Sequence, residues 1–288
     1  MNFNYTVLLS IFNEPVRIYP ILKNFEGVAN VLVLLDSSDT KTKSILVDKS
    51  VDYIVRPHEF NEWKLKDQVE WYLKQITTEY FLIAFASMFF TKSLLNQFEL
   101  VSKENKYDGI KTSMVYLSHG KIVQRPFLIK KATACYFYRK SSIRAELAQI
   151  HDEFKLASES IYLFLKPNLE NSIHVYRDDD MPIITKKHIG YAKREAKEFI
   201  VNYNQSKMTY GKILYTTVKS FLSGYFRMGG FLAGTEGLLY HFNFAIYKYL
   251  VCSHIWELQN NRTFTVNRIN HSNDRLKQLG IKQQFNHE

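Results

Sequence analysis

A chain of 288 residues, 46% hydrophobic and 15% aromatic, can bury a sizeable core, which excludes a polymer that is disordered throughout. Lysine and arginine outnumber aspartate and glutamate by 38 to 28, a formal charge of +10, so anionic partners qualify: a phosphorylated ligand, an anionic membrane or nucleic acid. The basic residues are scattered, and no recognised motif or concentrated Arg/Lys stripe supports nucleic acid as a partner.

The first third alternates strand-like and helix-like segments. "YTVLLSIF" (5–12) reads as a short apolar strand, "PVRIYPILKNF" (15–25) as an amphipathic helix opened by Pro15, and "ANVLVLLD" (29–36) as a second strand ending on an acid. "DTKTKSILVDKS" then suits a helix, "VDYIVRP" a third strand and "KLKDQVEWYLKQI" another helix; "EYFLIAFASMFF" (79–90) reads as a buried strand, the fourth. The order βαβαβαβ predicts an α/β fold with a mostly parallel sheet and helices on both faces. From about 107 to 180 the period shortens. "YDGIKTSMVYL", "GKIVQRPFLIKK" and "ACYFYRK" read as strands with a turn at His119-Gly120, and "NSIHVYRDDDMP" closes the block.

Residues 183–203 read as a Lys-rich helix, 211–259 as two or more helices with aromatic faces and glycines at the break, and the Asn/Gln/His-rich tail from Asn260 as loosely ordered. Cys135 and Cys252 fit no metal spacing and read as buried thiols of a reducing compartment, hence a cytoplasmic chain. The N-terminus lacks the basic and long apolar regions of a signal peptide. The apolar stretch 229–258 is broken by Glu236, His241, Asn243, Lys248 and His254, which suits a helix lying on a membrane better than one crossing it.

In open α/β sheets ligands collect beyond the carboxyl ends of the strands. Two such ends, "SIFNEP" and "LLDSSDTKT", each deliver an acid beside small hydroxyl or amide groups, a pattern suited to a ribose or a base. Asp36, Ser38 and Asp39 also suit the plainer job of capping the next helix.

"TVLLSIFNEPVRIYPILKNF" followed by "VLVLLDSSDTKT" resembles the opening of family 2 glycosyltransferases, which have the GT-A fold and take sugar from a nucleotide-diphosphate donor. "HDE" (151–153), "IHVY" (173–176), "KKHIGYAKREA" (186–196) and the aromatic segment 221–257 fall in the order of a branch similar to bacterial lipopolysaccharide-core glucosyltransferases. The resemblance implies a GT-A-like nucleotide-sugar-binding and catalytic domain over 1–180, a C-terminal helical region over 181–259 and a tail over 260–288. It implies an inverting transfer to a bacterial surface glycan or lipid-linked saccharide. It further implies that Glu14 and Asp36 hold the nucleoside, with Asn13 and Ser38 shaping the loops.

Asp152 falls where the family carries its catalytic base, with Glu153 as the adjacent substitute; one carboxylate suffices to deprotonate an acceptor hydroxyl. His174 falls near a His that assists the metal or the diphosphate in relatives, and as a lone His reads equally as structural. The run Asp178-Asp179-Asp180 reads as a solvated loop.

The chain departs from the family at the end of the fourth strand. Where an Asp-X-Asp pair binds Mg²⁺ or Mn²⁺ across the donor's phosphates, this sequence has Phe85-Ala86-Ser87, leaving one serine hydroxyl to face the donor. Gln68-Val69-Glu70 stands where the branch has Gln-Arg-Asn, and "FLAG" (231–234) where it has Leu-Asp-Gly. Two readings follow. A metal-independent transferase would neutralise the leaving diphosphate with Lys64, Lys66, Arg125 or Lys193. A catalytically inactive GT-A-like module would recognise a glycan, a nucleotide or a partner glycosyltransferase. The aromatics of 221–256 read either as packing, including against a second copy in a homodimer, or as a peripheral contact with the inner membrane face, where Lys212, Lys219, Arg227 and Lys248 would meet headgroups.

Overall fold

The structure, a computed structural model, describes residues 3–11, 14–36, 38–60, 63–125, 132, 134–148, 154–177, 181–203, 207–260 and 273–280. Two compact units emerge: Met1–Asp178 with Phe226–Gly237, and Asp179–Tyr225 with Leu238–Glu288.

The first unit is built on ten strands. Strands β1 (Tyr5–Ile11), β2 (Asn30–Leu35), β3 (Tyr53–Val55) and β4 (Tyr80–Phe85) alternate with helices α1 (Ile18–Phe25), α2 (Thr40–Asp48) and α3 (Leu65–Gln75). The four strands pair in parallel in the order β3-β2-β1-β4, as the βαβ alternation predicts. The register brings Ile11 opposite Leu35, Leu35 opposite Val55 and Ser10 opposite Phe85, so the carboxyl ends of all four strands stand level.

Both faces of these strands are buried, and alternate side chains divide between two cores. Tyr5, Val7, Leu9 and Ile11 join Val33, Leu35, Tyr80, Leu82 and Ala84 in a core that also takes Ile18, Ile21 and Phe25 of α1. Leu8, Leu34, Phe81 and Ile83 point the other way, onto Val69 and Tyr72 of α3 and the ring of Phe60. Helix α1 starts later than its proline suggests. Pro15–Arg17 form a turn, and the first helical-type bond runs from Ile18 N–H to Glu14 O at 3.1 Å.

The 79–90 segment is not one strand. It breaks at Ala86-Ser87, and β5 (Met88–Phe90) leaves β4's sheet to pair antiparallel with β10 (Ser172–Tyr176). The long β6 (Gly109–Ser118) makes this possible. Its first half pairs with β8 (Ala134–Arg139) and β9 (Tyr162–Phe164), its second with β10 and β7 (Lys121–Gln124), so it carries the sheet across a change of direction. The sheet as a whole is mixed, its parallel half first and its antiparallel pairings in the second half. Helix α4 (Lys92–Glu104) follows β5, capped by the Thr91 hydroxyl, which accepts from Leu94 N–H at 3.1 Å, and ended by Asn105 at φ 54°. The predicted turn at 119–120 closes the β6–β7 hairpin with φ 49° at His119 and 74° at Gly120, a two-residue connection that matches the strand twist. The rest of "GKIVQRPFLIKK" beyond Arg125 lies outside the described residues, Ala132 apart.

Residues 226–237 return to this unit, where Arg125 N–H donates to Met228 O and Arg125 Nη1 to Gly229 O, both at 3.0 Å, and Lys121 pairs with Glu236 at 2.9 Å. The second unit contains α5 (Met181–Tyr203), α6 (Tyr210–Leu222) and most of α7 (Thr235–Gln259), packed around Ala192, Ala196, Met208, Tyr247, Val251, Cys252 and Ile255. Of the tail, 273–278 forms a helical turn, and most of the remainder from 261 lies outside the described residues. Cys135 and Cys252 are free thiols. No described helix is long and apolar enough to cross a membrane.

Candidate functional site

The level carboxyl ends of β1, β2 and β3 concentrate polar side chains. Asp36 is the first residue after β2, and its Oδ1 accepts from Ser38 N–H at 3.1 Å and from the Ser38 hydroxyl at 2.7 Å. Arg56, the first residue after β3, donates its backbone N–H to Leu35 O at 2.9 Å and reaches Ile11 O with Nη2 at 3.3 Å, while the same nitrogen stands 3.9 Å from Asp36 Oδ2. Arg56 therefore ties three strand ends together. Burial works against ionisation of Asp36, but the Ser38 hydroxyl and amide and the charges of Arg56 and His58 outweigh it and hold the carboxyl below its ordinary range.

The plainer capping role belongs to Asp39 and not to Asp36. Asp39 is buried and its Oδ1 accepts from Thr42 N–H at 3.0 Å, closing the first turn of α2. Asp36 is thereby left at the sheet's end with its other oxygen facing the guanidinium. Thr42 in turn accepts from Glu14 N–H through its hydroxyl at 3.3 Å, which couples the turn after β1 to the start of α2. The Glu14 carboxylate pairs with Arg17 Nε at 3.3 Å. Glu14, Asp36 and Ser38 thus belong to neighbouring, cross-linked turns. Asn13, Asp152 and Glu153 lie outside the described residues.

Sequence reasoning missed Arg56. Its Nε is buried and has no hydrogen-bond partner among the described residues, while its guanidinium lies 5.8 Å from the centroid of the Phe60 ring. A buried, unpartnered guanidinium nitrogen is costly, by about 1–3 kcal/mol. The signal was present: Arg56 follows β3 directly, in the same kind of position for which Asp36 was singled out after β2.

At the end of β4 the side chains are Phe85, 41% exposed, Ala86, buried in the first core, and Ser87, half-buried in the turn before β5. Ser87 O accepts from Tyr176 N–H at 2.8 Å. Of Phe85, Ala86 and Ser87 only Ser87 carries a side-chain oxygen, so these residues do not fit a divalent ion there. Among the described residues no group of three or more His, Cys, Asp or Glu side chains is positioned to hold a metal.

His174 sits on β10 opposite Phe89, on the face away from Met88 and Phe90, with Nε2 3.0 Å from Leu169 O. Four strands, β1, β4, β8 and β6, separate β10 from β2 in the sheet order, so His174 and Asp36 lie on well-separated strands, while Ser87 follows the end of β4, the neighbour of β1. Of the other departures, Val69 is buried in the second core, Gln68 donates to Trp63 O at 3.0 Å, and Glu70 pairs with Lys66 at 3.6 Å. Ala233 is buried in a tight turn spanning Gly230–Ala233.

No family model matches the chain, and no curated protein matches it. Among solved structures the chain is similar to residues 1–349 of S. aureus TarS in complex with UDP-GlcNAc, with 12% identity and a TM-score of 0.43 over 91% of this chain and 93% of that one. A longer TarS structure gives 12% identity and a TM-score of 0.40 over 88% of this chain, which spans 55% of that one. Glucosyl-3-phosphoglycerate synthase from Mycobacterium tuberculosis in complex with Mn²⁺, UDP-glucose and phosphoglyceric acid gives 12% identity and a TM-score of 0.44 over 68% of this chain and 78% of that one.

Proposed function

We propose that the chain is a glycosyltransferase that binds a nucleotide-diphosphate sugar at the carboxyl ends of β1, β2 and β3 and transfers the sugar to a surface glycan or lipid-linked saccharide. The observation that carries the reading is Asp36: an ionised carboxylate at the end of a parallel strand, fixed by Ser38 and Arg56 and relieved of capping duty by Asp39. A carboxylate there accepts hydrogen bonds from ribose hydroxyls or a base imino group. The unpartnered Arg56 Nε adds a donor for an oxygen of the same ligand.

For the chemistry, Asp152, or Glu153 beside it, is proposed as the base that takes the proton from the acceptor hydroxyl. That oxygen then bonds to the anomeric carbon as the bond to the nucleoside diphosphate breaks on the opposite face, inverting the centre. Because Phe85 and Ala86 carry no oxygen ligand, no step is routed through a metal at the end of β4. In the metal-independent form of the reading, cationic side chains stabilise the departing diphosphate.

That same observation favours a second reading, a binding module that retains nucleotide or glycan recognition without turnover. Asp36→Ala and Asp152→Ala separate the two. Under the transferase reading, Asp36→Ala weakens donor binding, while Asp152→Ala abolishes transfer and leaves binding intact. Donor binding with no turnover of any acceptor, and no effect of Asp152→Ala, would favour the module.

A further inference from the structure

Helix α6 turns large apolar side chains outward as well as charged ones. At 100° per residue, Ile213, Thr216, Thr217, Ser220 and Phe221 form one face, and these are its half-buried residues. Leu214, Val218, Leu222 and Tyr215 run on around the helix from that face, exposed by 51, 45, 46 and 63%, and Tyr210 at the helix start is exposed by 79%. None of the 13 residues is fully buried.

Two of the inner face's hydroxyls bond within the helix, Thr217 donating to Ile213 O at 2.8 Å and Ser220 to Thr216 O at 2.7 Å, and the Thr216 side chain meets Cys252 of α7. Phe221 packs edge-on against Phe242 of α7, with ring centroids 6.4 Å apart. With leucine and valine turned outward, α6 has an apolar stripe that the described residues leave uncovered.

The charge around the stripe is one-sided. Lys212 and Lys219, both exposed, border it, and from Phe199 to Thr235 the chain carries Lys207, Lys212, Lys219 and Arg227 with no acidic residue. At 1.5 Å per residue the helix is about 20 Å long, too short to cross a hydrocarbon core of about 30 Å.

We propose that α6 is an interfacial helix that seats on a bilayer surface containing anionic lipids. Tyr210, Leu214, Val218 and Leu222 enter the headgroup–acyl boundary, and Lys212 and Lys219 meet lipid phosphates. Charge decides against a second copy as the occupant: a two-fold self-contact brings the surroundings of each stripe onto their own equivalents, and residues 199–235 hold four cationic side chains and no acidic one. The inference does not depend on the donor-binding reading and survives its failure.

The test is co-sedimentation of the full chain with vesicles of phosphatidylcholine alone and of phosphatidylcholine with an equal part of phosphatidylglycerol. Binding to the anionic vesicles is expected, falling at least about tenfold for Leu214→Ser/Val218→Ser/Leu222→Ser and about fivefold for each of Lys212→Ala and Lys219→Ala. Thermal unfolding of each variant checks that it remains folded; if the triple variant does not, the lysine variants on exposed side chains decide. No binding to anionic vesicles, or binding that neither set of substitutions changes, overturns the proposal. So does light scattering that shows a dimer broken by the α6 substitutions with no vesicle binding, which would assign the stripe to a second copy.

Discussion

Replacing Gly237 by alanine sets two effects of opposite sign against each other. Alanine is the better helix former by about 1 kcal/mol, and Gly237 lies in the first turn of α7. Its Cβ, however, would stand 1.9 Å from Gly230 O, 2.8 Å from the Gly230 carbonyl carbon and 3.2 Å from the Ala233 Cβ. The first two are backbone atoms and cannot swing aside as a side chain can. Gly230 follows directly on Met228 and Gly229, whose carbonyls hold Arg125 N–H and Nη1 at 3.0 Å, so a retreat of Gly230 strains both bonds.

Overpacking of this kind costs about 1–3 kcal/mol, and each weakened hydrogen bond about 0.5–1.5 kcal/mol, so the clash outweighs the propensity. Gly237→Ala should destabilise the chain by about 1–3 kcal/mol, read from the midpoint of urea unfolding. Gly211→Ala is the control: it lies in α6 with nothing within 4 Å of the added carbon, and should be neutral or stabilising by up to about 1 kcal/mol. A Gly237→Ala protein as stable as the parent would refute the close approach of α7 to the Gly230 turn.

Other consequences follow from the same contacts. Gly224→Ala would place its Cβ 2.1 Å from Nδ1 of the buried His241, and should destabilise by more than about 1 kcal/mol in the same urea assay. Burial opposes ionisation of both Asp36 and Asp108, but hydrogen bonds and arginine charges prevail and lower both carboxyls. A carboxyl lowered by folding lends stability above its unfolded value of about 4 and loses it as pH falls through the folded value. Asp108 accepts from Ser142 at 2.7 Å and Ile161 N–H at 2.8 Å, so Asp108→Asn should cost about 1–3 kcal/mol at neutral pH and flatten the acid limb of a pH–stability curve; an unchanged limb contradicts the assignment. Burial pushes the Cys135 thiol up to about 12 and raises that of Cys252, so a thiol reagent at pH 8 should modify the half-buried Cys135 only slowly and the buried Cys252 only after unfolding. Rapid labelling of the folded chain would contradict this.

What could be read in advance depended on how local the signal was. The four leading strands declared themselves through short apolar runs bounded by Pro, Asp and Lys, because strands buried on both faces need no alternation. The break of 79–90 was hidden for the same reason: apolar residues continue through Ala86 and Met88, and only the pairing of β5 with β10, some eighty residues away, divides the run. That Glu14 and Asp36 follow the ends of β1 and β2 was legible in the sequence. Which acid caps α2 was not, since Asp36 and Asp39 are equivalent on paper and only geometry assigns the cap to Asp39. Arg56 escaped because its value lies in spanning three strand ends, a property of register and not of its own segment. The outward stripe of α6 is visible as spacing at 210, 214, 218 and 222, but its facing required the packed structure.

The most direct test of donor binding is calorimetric titration of the full chain with UDP-, GDP-, CMP- and dTDP-sugars, each in Mn²⁺ and in EDTA, alongside Asp36→Ala and Arg56→Met. The account predicts that one nucleotide binds in both buffers and that each substitution weakens it by roughly tenfold or more, the loss of a charge-assisted hydrogen bond. Absence of binding by every nucleotide in both buffers, or binding that neither Asp36 nor Arg56 affects, would contradict it.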